Sequence, residues 1–394
     1  MDEMSPPDTA DVQAMAGRLA DDLRGRGLLG DERWARALAE VPRDLFAPMS
    51  AWAKPDRWNE TGYPIDIATD SAAWWEAVYS DAAIIIQSDD GDTDPAAGKG
   101  QSSSSVSAPG VVFPFLELLA PHKGDRILEI GTGSGWTASL LSWWAGADNV
   151  TSIEVDPAVA AGAAANIEAA GFTPHLVVGD GLKGCPERAP FDRVHVTAGV
   201  ADIPAAWIEQ TRPGGVIVLP WQPGGATGHK LRLTVIDDST AVGSFHGRAN
   251  YMMVRSQRSD HVWNSHHSED AETSATRLHP RTVVTADLGA HLAGVALAPG
   301  VDWLVISEPD GYSLLLQEMG NPEGSWAACD AVPGADDFQV TQYGSRRLWD
   351  EVADAYLKWV SWGSPSADRF GLTVEAKGNR LWLNRPDGMW WPLP

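Results

Sequence analysis

The sequence predicts an α/β protein: a doubly wound, mostly parallel, Rossmann-like sheet followed by a smaller α+β C-terminal extension. Apolar strands alternate with helices over residues 126–220, and repeated β-α units of this kind build a parallel sheet. The first of these strands runs straight into a glycine turn, which is typical of a nucleotide-binding crevice. After about residue 259 the pattern changes to short strands around one long helix.

The individual elements follow from hydrophobic periodicity and turn signals. The segment 9–38 reads as helical, with a glycine-rich stop near 25–30, a second short helix at 31–40, and a further helix at 108–120. The strands predicted for the parallel sheet are 126–130, 149–155, 175–179, 192–197 and 215–220, with helices at 136–145, 157–170 and 203–210. An antiparallel hairpin at 231–236 and 241–246 is expected at the edge.

Four segments result: a helical, substrate-side segment at 1–86, a mobile polar loop at 87–107, the nucleotide-binding domain at 108–258 and the extension at 259–394. The loop is predicted from its aspartates and from the serine tract at 102–105. The stretch 259–276, with His261, His266 and His267, reads as a linker. No metal site is expected there, because no helical spacing or nearby cysteine supports one.

Within the extension, strands are predicted at 281–286, 302–307, 312–317, 371–376 and 380–384, with a helix at 346–362. On that helix Trp349, Val352, Tyr356, Trp359 and Val360 recur at spacings of three and four, a stripe that is typical of a core face. We expect the extension to take part in recognising a peptide.

Charge and composition limit the function classes. The net charge is −24, which disfavours nucleic acid, since phosphate backbones are bound by lysine and arginine. Two cysteines, Cys185 and Cys329, form neither a disulfide framework nor a metal cluster. The first residues lack the regions of a signal peptide, and no apolar run reaches membrane-spanning length. A cytoplasmic, monomeric protein is therefore expected.

The turn from Gly131 to Gly135 favours one ligand over another. A dinucleotide fingerprint would place glycine at position 136, where this chain has Trp136. Glu129, two residues before the first glycine, would repel a pyrophosphate but suits a ligand that carries an ammonium and a sulfonium. The turn therefore indicates S-adenosylmethionine (SAM) rather than NAD.

Several further motifs resemble the protein-L-isoaspartate O-methyltransferase family over about residues 10–225. They are, in order, Val41-Pro42-Arg43 with Phe46, Tyr79, Asp81, Gly98 to Gln101, Val106-Ser107-Ala108-Pro109, Leu128 to Trp136, Ile153-Glu154, Gly179-Asp180-Gly181, Ala189 to Asp192, and Gln210 to Gly215. The resemblance implies a class I SAM-dependent methyltransferase that methylates a carboxylate of an abnormal aspartyl residue and releases S-adenosylhomocysteine. The ester then collapses to a succinimide.

The site residues follow from this resemblance. The residues expected to bind SAM are Glu129, Gly131, Thr132, Gly133, Ser134, Gly135, Glu154, Val155, Asp180, Gly181 and Thr197. Ser107 is the candidate for orienting the acceptor carboxylate, although a serine before proline also serves as a helix N-cap. Tyr79, Asp81 and Ser105 are expected to line the acceptor pocket, together with Ser107.

The chain also departs from the family pattern. Three extra residues lengthen the segment before Ser107, Gly110 stands where the family has histidine, and a long extension follows. The tail at 346–384 resembles a variant group that acts on ribosomally synthesised, modified peptides, including lanthipeptides and graspeptides. We therefore expect methylation of a genuine aspartate in a macrocyclised precursor peptide, giving aspartimide or isoaspartate. Two alternatives stay open: general repair of isoaspartyl proteins, and a non-catalytic scaffold that binds SAM or a peptide.

Overall fold

The computed structural model describes residues 9–393 except 58–59, 225–226, 259–262, 264 and 286. His261 and the start of the predicted linker lie outside these residues, as does the N-terminal stretch examined for a signal peptide. The chain packs as two compact units. The first runs to Ala198 and includes Ala206–Val218; the second comprises Gly199–Ala205 and the residues from Leu219 onward. The units therefore divide near 218, whereas the predicted boundary of the extension lies at 258.

The first unit contains most of the elements predicted for the catalytic half. Its helices are α1 (Thr9–Gly25), α2 (Glu32–Glu40), α3 (Ser71–Val78), α4 (Pro109–Leu119), α5 (Trp136–Ala145), α6 (Pro157–Ala169) and α7 (Ala205–Glu209). Its strands are β1 (Ser50–Pro55), β2 (Tyr63–Asp66), β3 (Ala82–Ser88), β4 (Ser102–Val106), β5 (Ile127–Ile130), β6 (Val150–Glu154), β7 (His175–Val178), β8 (Phe191–Val196) and β9 (Thr211–Trp221).

Five of these strands form the predicted parallel sheet. They lie in the order β9-β8-β5-β6-β7, and every neighbouring pair is parallel. All four residues of β5 are buried, as expected for a strand with both faces covered. The chain runs outward from β5 in both directions, so the sheet reverses its order there. A ligand crevice is expected beyond the carboxyl end of β5, where the glycine turn begins.

A second, antiparallel sheet in this unit has the order β2-β1-β3-β4. Its strand β4 is the serine tract, which composition alone predicts to be part of a mobile loop. That prediction is wrong for residues 102–106, because the backbone pairs with β3, placing Ser105 opposite Ile85 and Val106 opposite Ile84. Pairing with an apolar, buried neighbour overrides the weak strand propensity of serine.

The second unit carries the remaining elements. Its strands are β10 (His229–Asp237), β11 (Thr240–Arg248), β12 (Glu272–Thr276), β13 (Val301–Glu308), β14 (Gly311–Glu318), β15 (Trp326–Ala331), β16 (Phe338–Tyr343), β17 (Phe370–Glu375), β18 (Arg380–Leu383) and β19 (Met389–Pro392). Its helices are α8 (Pro280–Thr285), α9 (Leu288–Leu297) and α10 (Leu348–Ser361). One antiparallel sheet has the order β12-β16-β15-β14-β13. The predicted hairpin β10–β11 forms and continues antiparallel through β17, β18 and β19.

Three expectations for this unit are corrected. Over residues 281–285 the predicted strand 281–286 is instead the helix α8, because Pro280 begins a helix favourably and Val283 and Val284 pack on the core of this unit. The predicted linker contains β12, which pairs with β16. On α10, Trp349, Val352 and Trp359 are buried as predicted, but Val360 is 42% exposed and does not belong to the stripe. No helix in the described ranges is long and apolar enough to span a membrane.

Candidate active site

The glycine turn after β5 has a backbone that side chains would obstruct. Gly131 has φ +92°, and a Cβ there would lie 2.6 Å from Oγ1 of Thr197. Gly135 has φ +90°, and its Cβ would lie 2.6 Å from the side chain of Ile167. Both positions therefore require glycine for conformation and for space. Thr197 Oγ1 is also 2.6 Å from the carbonyl oxygen of Gly131, which fixes the start of the turn.

Glu129 lies beneath this turn and is fully buried. Ser152 Oγ donates to Glu129 Oε2 at 2.6 Å, and Thr132 Oγ1 lies 2.7 Å from the same serine oxygen. The other carboxylate oxygen of Glu129 is 3.7 Å from Nδ1 of the buried His195. The acid thus reaches the turn through Ser152 and Thr132. Its direct contact with SAM stays a prediction, and its carboxylate does not face solvent.

Glu154 ends β6 beside the turn. Its Oε2 accepts a hydrogen bond from the Gly133 amide at 2.9 Å, and its Oε1 accepts from the Asp156 amide at 3.1 Å. Burial raises the pKa of this carboxyl above its usual value, although these amides oppose the shift. The next residue, Val155, is 46% exposed. An acid and an exposed apolar side chain therefore adjoin at a strand end where SAM binding is predicted.

Gly181 and Asp180 follow β7 at the same edge of the sheet. A Cβ at Gly181 would lie 2.6 Å from the side chain of Ile130, so the turn packs against the end of β5. Asp180 is exposed, and its Oδ1 accepts from the amide of Leu182 at 3.0 Å. Val178, at the end of β7, is 58% exposed. This edge thus offers apolar surface beside an exposed carboxylate, whose Oδ2 lies 3.8 Å from Nζ of Lys183.

The serine strand β4 lies against the glycine turn. A Cβ on Gly133 would be 3.4 Å from the carbonyl oxygen of Ser105 and 3.6 Å from Oγ of Ser104. The segment predicted to hold the acceptor therefore contacts the segment predicted to hold the methyl donor. Ser134 is also buried in this turn, with its Oγ 3.4 Å from the Trp136 amide.

Arg43 holds the backbone around Ser107. The guanidinium is fully buried and donates to the carbonyl oxygens of Ala82 at 2.6 Å and Ser107 at 3.0 Å, and also to those of Val78 and Val106. Burial lowers the pKa of Arg43 to about 10. Its carbon Cζ lies 5.2 Å from the ring centre of Trp136, a favourable cation–π distance.

Ser107 is not the N-cap of α4. Ala108 occupies the cap position, without a side-chain hydrogen bond. Among the described residues we find no partner for the Ser107 hydroxyl, although its carbonyl is held by Arg43. Ser107 therefore does not cap the helix, and its role in orienting a carboxylate stays a prediction.

Tyr79 and Asp81 direct their polar atoms inward. The Tyr79 hydroxyl donates to Asp44 Oδ1 at 2.6 Å, and burial raises the pKa of the phenol. Asp81 accepts from the Gly110 amide at 2.6 Å and pairs with Arg26 at 2.6 Å. A Cβ on Gly110 would lie 2.4 Å from Asp81 Oδ2. The predicted contact of both residues with substrate therefore stays untested, and in this geometry they support the walls of the site.

Two residues that sequence patterns did not single out connect the site. Gln87 Oε1 accepts from Ser103 Oγ at 2.9 Å, while its Nε2 donates to Asp156 Oδ2 at 3.1 Å. Asp156 is the N-cap of α6, with Pro157 at the first helical position. The Asp-Pro pair is a recognisable helix start, whereas nothing in the sequence marks Gln87.

One group in the described ranges brings together side chains that could hold a metal ion: His267, Glu269 and Asp270. All three are exposed and lie in the second unit. Exposed acidic groups of this kind are common without an ion, so we assign no metal role to them.

Comparison with known proteins agrees with this geometry. Residues 70–257 match the sequence profile of the Protein-L-isoaspartate(D-aspartate) O-methyltransferase (PCMT) family. The chain is 41% identical over 212 residues to the protein-L-isoaspartate O-methyltransferase of Thermococcus onnurineus, covering 53% of this chain and 79% of that protein. Protein-L-isoaspartate O-methyltransferase 2 of Archaeoglobus fulgidus is 41% identical over 205 residues, covering 52% of this chain and 76% of its own length.

A solved structure named protein-L-isoaspartate O-methyltransferase shares the fold. The match covers 94% of this chain and 100% of that chain, with 20% sequence identity and a TM-score of 0.52. The match extends over most of the C-terminal region as well. A long extension is thus shared with a protein of that name and does not by itself separate this chain from it.

The predicted fold class, a Rossmann-like class I methyltransferase with a C-terminal extension, is confirmed. The methyl donor of the family is SAM, as the glycine turn predicts. The alignment with this chain covers more than two thirds of the length of each of these two relatives. The chain belongs to the protein-L-isoaspartate(D-aspartate) O-methyltransferase family and is a SAM-dependent carboxyl O-methyltransferase.

Proposed function

We propose that this enzyme methylates the side-chain or isoaspartyl carboxylate of an aspartate-derived residue in a peptide or protein. The observation that carries the proposal is the close approach of Gly133 to the serine strand, where a Cβ built on Gly133 would lie 3.4 Å from the Ser105 carbonyl oxygen. Methyl transfer needs the donor and acceptor sites to adjoin, because the reacting atoms must be held in line at near-attack distance.

The residues around the glycine turn fit SAM. The turn is tight because a Cβ at Gly131 or Gly135 would clash with Thr197 or Ile167, and a glycine backbone lets a ligand approach closely. We assign Glu154 to the ribose hydroxyls, and Val155 and Asp180 to the adenine side. When bound, SAM supplies an electrophilic methyl group on a positively charged sulfur.

The acceptor needs orientation more than activation. A carboxylate is ionised at neutral pH and already nucleophilic, so no general base is required. The carboxylate oxygen forms the new bond to the methyl carbon as the bond from carbon to sulfur breaks, and S-adenosylhomocysteine leaves. We assign the Ser107 hydroxyl to one acceptor oxygen, with Arg43 holding the Ser107 backbone in place at 3.0 Å. Attack by the following backbone nitrogen on the ester would then release methanol and give a succinimide.

The broader acceptor, an isoaspartyl residue in any peptide or protein, has the stronger support. The relatives from Thermococcus onnurineus and Archaeoglobus fulgidus carry that name, and the shared extension removes one argument for a specialised substrate. The net charge of −24 also supports a general protein or peptide acceptor, because it would attract basic substrate segments. A cytoplasmic location and a monomeric state stay predictions.

A modified precursor peptide is a second candidate, because the acceptor side differs from the family pattern. Gly110 replaces the family histidine, and its amide and the space beside it are occupied by Asp81. The lengthened serine segment forms an ordered strand. These changes would alter which acceptor fits while leaving the SAM turn intact.

Competition between substrates tests the two candidates. The enzyme would be incubated with SAM, a short linear isoaspartyl peptide and a macrocyclised peptide that carries an ordinary aspartate. Preference in kcat/KM for the linear isoaspartyl peptide supports the general activity, and preference for the aspartate of the cyclised peptide supports the specialised one. Complete methylation of either at catalytic enzyme concentration would exclude a non-catalytic scaffold.

A further inference from the structure

The second unit contains an apolar sheet edge that the methyltransferase chemistry does not use. Strand β13 is the terminal strand of its five-stranded sheet. It pairs with β14 over all eight residues without a register shift. Three consecutive side chains are exposed: Leu304 at 51%, Val305 at 39% and Ile306 at 43%. A regular, apolar edge strand without lysine, proline or a bulge is the kind of edge that accepts another strand.

The hairpin geometry shows which backbone groups face the open edge. Glu308 pairs with Gly311 across a two-residue turn, so each of these two residues donates its N–H to the carbonyl of the other. Along an antiparallel pair of strands, hydrogen-bonded pairs alternate with pairs that are not hydrogen-bonded. Leu304 and Ile306 therefore bond to β14, and the N–H and C=O groups of Val305 and Ser307 point away from it. The Trp303 amide, also on the outer side, is taken by Asp302 Oδ1 at 2.9 Å.

An apolar cavity adjoins the start of the same strand. Its volume is about 30 Å³, it is partly open to solvent, and its walls include Val301, Trp303, Leu314, Val352, Tyr356 and His291. His291 Nδ1 lies 2.6 Å from Nε2 of His229. Burial lowers the pKa of His291 to about 4, so the imidazole is neutral at pH 7. The cavity wall is then uncharged and suits an apolar side chain.

The charges around the edge select a partner. Glu308 and Asp310 are exposed at the turn, and neither has an ion-pair partner in the part of the chain that the structure describes. No lysine or arginine occurs from residue 300 to 312. Pairing with a second copy in antiparallel orientation would place Glu308 near Asp302 of the other copy, and like charges across a strand pair are destabilising.

We propose that β13 binds an extended, basic peptide segment as an added strand, with an apolar side chain of that segment in the adjoining cavity. The inference rests on the proposed peptide or protein acceptor and assigns to the extension the capture of a substrate segment. Backbone hydrogen bonds to Val305 and Ser307 give affinity, while the cavity and the two acids select sequence.

Proline at position 305 tests the backbone contact. Val305→Pro removes an outward N–H, which edge strands tolerate, and leaves the bonds to β14 intact. The matched control, Val305→Thr, keeps the N–H and the β-branched shape. The probe is a short fluorescein-labelled peptide in which lysine alternates with valine or leucine, followed by anisotropy with full-length enzyme. We expect about tenfold weaker binding for Val305→Pro and unchanged binding for Val305→Thr.

Two further measurements separate strand addition from simple charge attraction. The same probe with N-methylated backbone positions should bind the wild-type enzyme about tenfold more weakly, since it keeps its charge but loses donors. Glu308→Lys, an exposed substitution, should weaken binding without changing the melting temperature. Equal affinity of the wild-type enzyme for methylated and unmethylated probes would overturn the proposal. So would a wild-type dimer, measured by light scattering, that Val305→Pro converts to monomer.

This test is independent of catalysis. Binding is read without SAM, and turnover of a short isoaspartyl peptide too small to span the edge should be the same in wild type and Val305→Pro. A loss of that turnover in Val305→Pro would contradict the separate role of the edge. Failure of the isoaspartyl activity itself would show in the wild-type enzyme, and the anisotropy result would still stand.

Discussion

Gln87 Nε2 donates a hydrogen bond to Asp156 Oδ2 at 3.1 Å, and this contact joins the acceptor side of the site to the methyl-donor side. Gln87 belongs to β3, the neighbour of the serine strand, and its Oε1 accepts from Ser103. Asp156 caps the helix that follows Glu154. The position of the serine strand is thus coupled to the strand end where we place the ribose of SAM.

Replacement of Glu154 by glutamine should weaken SAM binding. A carboxylate bonds hydroxyl groups more strongly than an amide does, so we expect a loss of about tenfold in affinity. Burial raises the pKa of Glu154; affinity in the wild type should therefore fall as the pH drops through that raised pKa. Calorimetric titration with SAM from pH 7 downward measures the affinity of the variant and the pH dependence of the wild-type affinity. An unchanged affinity in Glu154→Gln would remove the residue from the site.

Replacement of Gly133 by valine should abolish SAM binding. The residue has φ +55° and contacts Ser105, so a β-branched side chain would be strained and would push the turn and the serine strand apart. The matched control is Gly162→Ala on α6, where nothing lies within 4 Å. Calorimetry should show wild-type affinity for the control. Wild-type affinity in Gly133→Val as well would contradict the assignment of the turn.

Ser107→Ala should lower kcat for methyl transfer and leave SAM affinity nearly unchanged. The hydroxyl has no described partner that its loss would orphan, so we expect little change in stability. Loss of one hydrogen bond to the acceptor corresponds to about a tenfold reduction in kcat/KM. Ser102→Ala, at the start of β4, is the control. Steady-state kinetics with an isoaspartyl peptide would reject the assignment if Ser107→Ala retained wild-type turnover.

Gly110→Ala should destabilise the first unit. Its Cβ would lie 2.4 Å from Asp81 Oδ2, and overpacking of a buried contact costs about 1–3 kcal/mol. The penalty should shrink in an Asp81→Ala background, because the clashing carboxylate is then absent. Urea denaturation of the four proteins of this double-mutant cycle gives the coupling. Additive effects of the two substitutions would show that Asp81 does not exclude a side chain at position 110.

The buried pair His229 and His291 should make the second unit sensitive to acid. Burial lowers the pKa of His291 from 6.5 to about 4, so between these values the unfolded chain binds a proton that the folded chain does not. The free energy of unfolding is therefore highest above pH 6.5 and decreases as the pH falls toward 4. The total decrease is on the order of 3 kcal/mol.

Urea denaturation at several pH values checks this sign. The free energy of unfolding should decrease with falling pH, and the double variant His229→Phe, His291→Phe should show a flatter profile. His175→Phe, at an exposed position, serves as control. An identical pH dependence in the double variant and the wild type would contradict the origin assigned to the acid sensitivity.

Much of the parallel sheet could be predicted because its signals are local. β5, the glycine turn and α5 follow from apolar periodicity and glycine spacing, and the structure has α5 at the predicted bounds. The serine strand could not be predicted, since its order comes from pairing with β3 rather than from its own side chains. Likewise, Asp81 looks like a pocket residue in sequence, and only the fold shows its carboxylate at the Gly110 amide.

We propose that this chain moves a methyl group from SAM to an aspartate-derived carboxylate in a peptide. The most direct measurement is mass spectrometry of a defined isoaspartyl peptide and its ordinary aspartyl counterpart, each incubated with SAM and catalytic enzyme. We expect a single methyl ester on the isoaspartyl residue that converts to succinimide, with no ester formed when Gly133 is replaced by valine. Absence of methylation on both linear peptides and on the cyclised aspartyl peptide, by folded enzyme that binds SAM, would contradict it.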